Sequence, residues 1–342
     1  MKRFILTPVL LSGYKSQCAR NGDIAGSMLK SDREDQMVFK NLAASAAIAF
    51  GLLAGTAMAE EKPVVGLVMK SLANEFFQNM LEGAKAHEAK RGDFTMIAVG
   101  MQSETDIETQ INAVESFISQ GVDAIVIAPA DSRALVPPLK RAMEAGITVI
   151  NFDVSLDEAA KKENDVELAF VGPDNRGGAK LVGDALAAKL GKGGKVVIIE
   201  GNPGADNANQ RRMGFEDAVA EGGLVLLDSS TAHWETEEAN TLFTNMLTAH
   251  PDIQGVMAAN DSMAVGVVKA LEAAGRKDIL VVGFDNIPAV GPMIADGRML
   301  ATVDQFGQQM AANAIDKALE VLAGGPKLTG WVKTEIKLVT AN

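Results

Sequence analysis

The sequence has very few of the residues that build disulfides, metal centres and redox sites. Its 342 residues include one cysteine and three histidines, His87, His233 and His250. A single cysteine excludes a disulfide framework and a multi-cysteine metal site, and the histidines do not share a metal-ligand spacing. We therefore predict that the protein uses no metal ion and no cofactor.

Positive charge is also scarce. The chain has 32 Lys and Arg against 44 Asp and Glu, which gives a formal net charge of −12. An acidic chain lacks the basic surface that binds phosphate backbones, so we exclude nucleic acid as a partner. The hydrophobic share of 47% and the charged share of 22% are those of a globular protein rather than a disordered chain, a collagen or a coiled coil.

A charge-free stretch near the N-terminus predicts a secretory signal. Residues 42–59, LAASAAIAFGLLAGTAMA, follow Lys40 and end in small residues before an acidic run. A basic start, a short apolar stretch and a small-x-small end predict cleavage after Ala59, with residues 1–59 as leader and signal peptide and Met37 as a more natural start. The alternative is a membrane anchor, which needs about 20 strongly apolar residues. We predict export to the periplasm.

Beyond the leader, short apolar runs alternate with helical patterns. Residues 63–69 form a run long enough for a strand buried on both faces, and a helical pattern follows from about Glu75 to Lys90. The same alternation continues to a strand at about 279–284, which predicts an α/β fold with parallel sheets covered by helices. Because one open sheet rarely holds so many strands, we predict two sheets.

An internal repeat supports two similar lobes. Asp131-Ser132 follows one predicted strand and leads through a helix to a strand that ends at Asp153; about 130 residues later, Asp261-Ser262 leads in the same way to Asp285. Asp131 and Asp261 are predicted to cap the helices that follow them. Since ligands bind beyond the carboxyl ends of parallel strands, Asp153 and Asp285 are predicted to face one cleft between the lobes.

The two strand-end aspartates are candidate acceptors for ligand hydroxyl groups, because charged acceptors make the stronger hydrogen bonds. Asp285 has an alternative role as a helix cap, since Pro288 follows closely. Paired carboxylates also occur as the acid and base of glycosidases, although these enzymes need an open groove. An exported carbohydrate-active enzyme therefore stays as the alternative function.

Aromatic residues follow the first predicted strand. Asn74 precedes the adjacent pair Phe76 and Phe77, and helical neighbours point about 100° apart, so one apolar stripe does not cover both rings. An exposed ring suits the C–H face of a sugar, and the Asn74 amide can both donate and accept hydrogen bonds. The rings can equally fill helix–sheet and helix–helix contacts, and the pattern alone leaves both roles open.

The second half of the chain contains two further candidate ligand contacts, an arginine and a tryptophan. The loop before Arg211 lacks the glycine patterns of nucleotide sites. We place Arg211 in the first turn of its helix, where a cation opposes the helix dipole, which indicates a ligand or a carboxylate partner. Trp234 follows another strand and fits either ring stacking or the core.

At this point the sequence resembles a known family, on stretches that extend over nearly the whole chain after the leader. These stretches are Asn74-Glu75-Phe76-Phe77, Phe152-Asp153, residues 210–215 (QRRMGF), 247–252 (LTAHPD), Ala259-Asn260-Asp261, 282–285 (VGFD) and 301–305 (ATVDQ). They resemble the periplasmic sugar-binding proteins of ABC importers, particularly the ribose-binding group of the LacI-like fold, periplasmic binding protein type I.

The resemblance implies two Rossmann-like lobes hinged by three crossovers, near Pro173, Gln305 and Thr334. The first lobe is then 60–173 with 306–334, and the second is 174–305 with 335–342. The implied ligand contacts are Asn74, Phe76, Phe77, Asp153, Arg211, Trp234, Asn260, Asp285 and Gln305. The implied ligand is a monosaccharide or a sugar alcohol, and the implied partners are a membrane permease of an ABC transporter and a chemoreceptor.

Three positions depart from the ribose-binding pattern. Val154 stands where ribose binders have Arg after the aspartate, Ala128 replaces an Asn, and Lys70 replaces a small polar residue. Without the arginine, the site lacks a forked donor for ring and hydroxyl oxygens. The departures argue against ribose itself and leave a hexose, another pentose or an acyclic sugar alcohol.

Overall fold

A computed structural model describes residues 61–341, so the predicted leader and signal, residues 1–59, lie outside the described residues. Strands and helices alternate through the described chain. The strands are β1 (Val64–Ser71), β2 (Thr95–Met101), β3 (Ala124–Ile127), β4 (Thr148–Phe152), β5 (Phe170–Gly172), β6 (Lys195–Glu200), β7 (Val225–Thr231), β8 (Gly255–Ala258), β9 (Leu280–Val282), β10 (Ala301–Asp304), β11 (Trp331–Lys333) and β12 (Lys337–Thr340). The helices are α1 (Glu75–Arg91), α2 (Ile107–Gln120), α3 (Val136–Glu144), α4 (Glu158–Glu163), α5 (Asn175–Leu190), α6 (Asp206–Gly222), α7 (Thr236–Ala249), α8 (Asp261–Ala273), α9 (Val290–Ala295) and α10 (Gly307–Leu322).

The strands form two six-stranded sheets with equivalent topology. The first has the order β11-β5-β4-β3-β1-β2, and the second has the order β12-β10-β9-β8-β6-β7. Neighbouring strands are parallel in both sheets, except that β12 runs antiparallel to β10. This arrangement confirms the predicted α/β fold of two similar lobes with parallel sheets.

Helices pack on both sheets and define two lobes. The first lobe is the sheet that contains β1 with α1 to α4 and α10, and the second is the sheet that contains β6 with α5 to α9. The chain passes between the sheets after β5, after β10 and after β11. The exact lobe boundaries predicted from the sequence stay a proposal.

Local sequence signals explain where the elements begin and end. β1 is buried along nearly its whole length, as its run of branched apolar residues predicts. Asn74 caps α1 by accepting from the Phe76 amide, and Gly92 ends that helix with a φ of 69°. Gly214 lets α6 approach α5 closely, because an added Cβ would lie 2.2 Å from the Arg176 carbonyl oxygen. Within residues 61–341, no helix has both the length and the apolar composition to cross a membrane.

Candidate functional site

The carboxyl ends of the strands in both sheets surround a narrow cavity with a free volume of about 20 Å³. Its lining includes all nine residues singled out in the sequence and three others. The lining residues are Lys70, Asn74, Phe76, Phe77, Glu104, Asp153, Asn207, Arg211, Trp234, Asn260, Asp285 and Gln305. This volume is far below the ~300–1,000 Å³ of sites for drug-sized ligands, so a small ligand fits only after the side chains or the lobes shift.

Unusual backbone conformations concentrate at this cavity. Asp153, Trp234 and Asp285 have φ values of 62°, 73° and 120°, in a region that residues with a side chain rarely adopt. Asp153 directly follows β4, and Asp285 lies in the loop after β9, the equivalent strand of the second sheet. Backbone strain that the surrounding structure maintains is typical of functional sites, because it directs side chains in ways that an unstrained backbone does not.

Arg211 is at the centre of a buried polar cluster. Its guanidinium donates to Asn175 Oδ1 at 2.9 Å, to the Ala259 carbonyl at 2.8 Å and to Asp285 Oδ1 at 3.3 Å. The same group lies 3.6 Å from the centroid of the Phe284 ring. Burial lowers the pKa of Arg211, whereas the nearby aspartates favour its charged form.

Asp285 is held by two donors. Gln305 Nε2 donates to its Oδ1 at 2.6 Å, and Arg211 forms the ion pair. Burial raises the pKa of Asp285 well above its ordinary value, and the charge of Arg211 opposes this shift. The carboxylate is therefore fixed in position with lone pairs to spare for a ligand.

Asp153 lies on the cavity wall almost without solvent contact, and its Oδ1 has no hydrogen-bond partner in the described part of the chain. Burial raises the pKa of Asp153 to about 6, while Lys70 and Arg211 oppose the shift. A buried carboxylate without a donor is destabilising, so such an atom indicates a ligand that supplies one.

Lys70 and Glu104 form a second buried ion pair, with 2.9 Å between Lys70 Nζ and Glu104 Oε2. The Lys70 ammonium also lies 5.1 Å from the Trp234 ring centroid and 5.5 Å from that of Phe77. Asn74 Nδ2 donates to Glu104 Oε1 at 2.7 Å, which connects this pair to the start of α1. A cation and a carboxylate therefore occupy the wall beside Asp153.

The aromatic residues form the apolar part of the wall. Phe76 and Phe77 are both buried and meet edge to face, with ring centroids 5.2 Å apart. Trp234 lies against Gly201, where an added Cβ would be 2.2 Å from the indole ring. The glycine thus makes room for the tryptophan at the cavity. Both phenylalanine rings are buried, as the packing role predicts, and both line the cavity, so their contact with a ligand stays a prediction.

Three predictions about helix starts are wrong. Asp131 does not cap α3, whose N-cap is Leu135, and its Oδ1 instead accepts from the Arg133 and Ala134 amides in the turn before that helix. α6 begins at Asp206, so Arg211 lies in the second turn, and the dipole argument does not apply to it. The N-cap of α8 is Asn260, whose Oδ1 accepts from the Met263 amide, and Asp261 is inside the helix. Asp261 is instead fully buried and accepts from Thr302 Oγ1 at 2.7 Å and from the Ile287 amide at 3.1 Å.

Three lining residues, Lys70, Glu104 and Asn207, were not predicted from the sequence, although Lys70 was noted as a departure from the ribose-binding pattern. Lys70 and Glu104 are at or after the carboxyl ends of β1 and β2, so the strand-end rule that selected the aspartates would also have selected them. Asn207 lies four residues before Arg211 on α6, which places both side chains on one helix face.

Apart from Glu104 Oε2, which forms the ion pair with Lys70, four polar atoms on the cavity wall have no hydrogen-bond partner within residues 61–341. They are Asp153 Oδ1, Asn207 Oδ1, Gln305 Oε1 and Trp234 Nε1. Three of them are acceptors and one is a donor. Buried polar groups in native proteins are nearly always paired, so these atoms indicate a bound molecule rich in hydroxyl groups.

Comparisons with known proteins agree with this geometry. The family described as periplasmic binding protein domain matches residues 65–326. The D-ribose/D-allose-binding protein of Pseudomonas aeruginosa is 48% identical over 82% of this chain and 90% of its own length. The ribose import binding protein of Escherichia coli is 34% identical over 83% of this chain and 93% of its own length.

Solved structures give the same result. An ABC transporter periplasmic solute-binding protein from Actinobacillus succinogenes, with bound D-allose, superposes with a TM-score of 0.77. It is 38% identical in sequence, and the match covers 82% of this chain and 98% of that chain. The family match and these relatives confirm the resemblance found in the sequence, and the chain belongs to the periplasmic binding protein family.

Proposed function

We propose that the protein binds one neutral monosaccharide or sugar alcohol in the cavity between its lobes and delivers it to the permease of an ABC transporter. The four unpaired polar atoms of the cavity wall carry this proposal. A polyhydroxylated ligand satisfies three acceptors with hydroxyl donors and the indole N–H with an oxygen. The aromatic rings cover its C–H faces.

The charges of the wall favour a neutral ligand. Lys70 pairs with Glu104, and Arg211 pairs with Asp285, so both cations are already neutralised. Asp153 remains as an additional carboxylate. An anionic ligand such as a sugar acid or a sugar phosphate would meet a net negative wall, and it would find no free cation there.

The residues around Asp153 narrow the range of candidate sugars. Val154 and Ala128 are fully buried and offer no polar side chain where ribose binders have Arg and Asn. Lys70, beside Asp153, is the charged donor on this wall. Relatives of this chain are named for both ribose and allose, and we favour a hexose over ribose because the forked donor of ribose binders is absent here.

Binding by closure of two lobes explains why residues of both lobes line the cavity. A ligand that touches residues of both lobes stabilises the closed form over the open one, because only the closed form offers both sets of contacts. The closed form then presents a joint surface that a permease can distinguish from the open form. The signal peptide predicted from the sequence supports a location in the periplasm, where the protein would meet such a permease.

A calorimetric titration of the mature chain with a panel of sugars tests the proposal. The panel holds D-allose, D-ribose, D-arabinose, myo-inositol and glycerol. We expect one site per chain and the highest affinity for a hexose. The chain has two tryptophans, so the Trp331→Phe variant, whose lost ring is exposed, should keep any ligand-induced fluorescence change of the buried Trp234.

The same samples separate the proposal from its alternatives. A receptor returns the sugar unchanged after long incubation, whereas a carbohydrate-active enzyme that uses Asp153 and Asp285 would give a product by mass spectrometry. Absence of binding across the panel would contradict the proposal. A role in chemoreception concerns the same ligand and is tested separately, by pull-down of a sugar-sensing membrane receptor in the presence and absence of the sugar.

The raised pKa of Asp153 predicts a pH dependence of binding. Hydroxyl groups donate better to a carboxylate than to a carboxylic acid, so the ligand favours the ionised form of Asp153. Because the pKa of Asp153 is about 6 before the ligand binds, affinity should be constant above this pH and decline as the pH falls below it. Titrations between pH 5 and pH 8 measure this, and calorimetry near pH 6 in two buffers of different ionisation enthalpy should detect proton release on binding. Equal affinity across this range would contradict the assigned role of Asp153.

A further inference from the structure

We propose that the serines of the internal repeat, Ser132 and Ser262, form an interlobe clasp that determines how tightly the protein binds its ligand without selecting which ligand it binds. The inference rests on the proposed binding function, in which the lobes close over a sugar. Neither serine lines the cavity. Both are buried, and each reaches from its own lobe to the start of a helix in the other lobe.

Ser132 extends from the first lobe to α6 of the second. Its Oγ accepts from the Asp206 amide at 2.9 Å, and its own amide donates to the Gly204 carbonyl at 2.9 Å. Asp206 is the first residue of α6, and the N-cap Ala205 has no side chain that can accept a hydrogen bond. The first amides of a helix lack partners within the helix, so the hydroxyl of the opposite lobe provides the cap that α6 lacks.

Ser262 makes the equivalent contact in the opposite direction. Its Oγ donates to Asn74 Oδ1 at 3.2 Å, across 188 residues of sequence. Asn74 is the N-cap of α1 and accepts from the Phe76 amide through the same oxygen. Because β1 and β6 occupy equivalent positions in the two sheets, α1 and α6 are the equivalent first helices of the two lobes.

The clasped helices are the ones that carry ligand-facing side chains. α1 bears Phe76 and Phe77, and α6 bears Asn207 and Arg211. The serine contacts form only when the lobes are closed, so they shift the open–closed equilibrium and thereby the apparent affinity for every ligand. They do not touch the ligand, so they leave discrimination between ligands unchanged.

The test compares Ser132→Ala, Ser262→Ala and the double variant with the wild type, using D-allose and D-ribose as probes. A single hydrogen bond of this kind changes an equilibrium about three- to tenfold. We expect each single variant to weaken the binding of both sugars by this factor. The double variant should weaken it by roughly the product of the two factors. The ratio of the two affinities should stay at the wild-type value, and the loss should appear as faster dissociation.

Two controls make the result specific. Ser229→Ala removes a hydroxyl that donates to Glu200 within the second lobe, so it should leave both affinities unchanged. Asn207→Ala alters the cavity wall and should change the allose-to-ribose ratio. Wild-type affinity in the double variant, or a changed sugar ratio in either serine variant, would overturn the clasp.

A measurement without sugar separates this inference from the proposed function. Exchange of the Asp206 amide with deuterium reports the Ser132 contact directly, since that amide donates to the serine hydroxyl. The ligand-free protein exchanges between open and closed forms, and the Ser132 contact protects the amide in the closed fraction. We therefore expect faster exchange at Asp206 in Ser132→Ala than in Ser229→Ala, even if no sugar of the panel binds. Equal exchange rates would overturn the clasp, whereas failure of the wild type to bind any sugar would overturn the proposed function alone.

Discussion

Replacing Arg211 with methionine is expected to lower the free energy of unfolding by about 3–5 kcal/mol, because it leaves the buried Asp285 without its counter-charge. The same change should weaken ligand binding at least a hundredfold, since the guanidinium also holds the Ala259 carbonyl and Asn175 beside the cavity. Urea unfolding and calorimetric titration measure the two effects. The loss of stability should be smaller at pH 5 than at pH 8, because the unpaired aspartate then takes up a proton.

The neighbouring arginine provides a matched control. Arg212 is partly exposed and pairs with Glu216 and Glu200 at the surface, so Arg212→Met should change stability by less than about 1 kcal/mol. It should leave affinity unchanged. Equal effects of the two substitutions would contradict the central role of Arg211 in the buried cluster.

Asp153→Asn should have opposite effects on binding and on stability. The amide is a weaker acceptor than a carboxylate, so we expect affinity to fall at least thirtyfold at pH 8. Burial raises the pKa of Asp153 to about 6 in the folded protein, so the ionised carboxylate opposes folding above that pH and no longer does so below its ordinary value near 3.8. The substitution should therefore stabilise the ligand-free protein at pH 8 by about 1–3 kcal/mol.

Asp165→Asn controls for the backbone conformation. Asp165 has a φ of 55°, close to the 62° of Asp153, but its side chain is exposed. The asparagine tolerates this conformation equally well at both positions. We expect no change in affinity and little change in stability. A loss of stability in Asp153→Asn at pH 8 would show that the carboxylate is paired in solution and would contradict the account of its role.

The fold was readable from the sequence because its signals are local and repeated. Buried apolar runs and the duplicated Asp-Ser turns predicted two α/β lobes, which the sheets confirm. The short helix α4 was missed because its six residues carry too little periodicity. The helix starts were misplaced for a related reason: at α8, Asn260 and Asp261 are both good caps, and only tertiary contacts decide between them.

The site was predictable where one rule applied to both lobes. The strand-end rule predicted Asp153 and Asp285, the turn after the first strand predicted Asn74, and the resemblance added Asn260 and Gln305; all of them line the cavity. Lys70 and Glu104 also satisfy the strand-end rule, but their pairing was not predictable, since they come from different strand ends and meet only in the folded lobe. The interlobe contacts of the repeat serines likewise depend on how the two lobes meet.

The most direct test of the account is a crystal structure of the mature protein with the tightest-binding sugar of the panel. We expect one sugar in the cavity, with hydroxyl groups donating to Asp153 Oδ1, Asn207 Oδ1 and Gln305 Oε1, and with its ring beside Trp234. A sugar bound elsewhere, with these acceptors still unpaired or turned away from the space between the lobes, would contradict it.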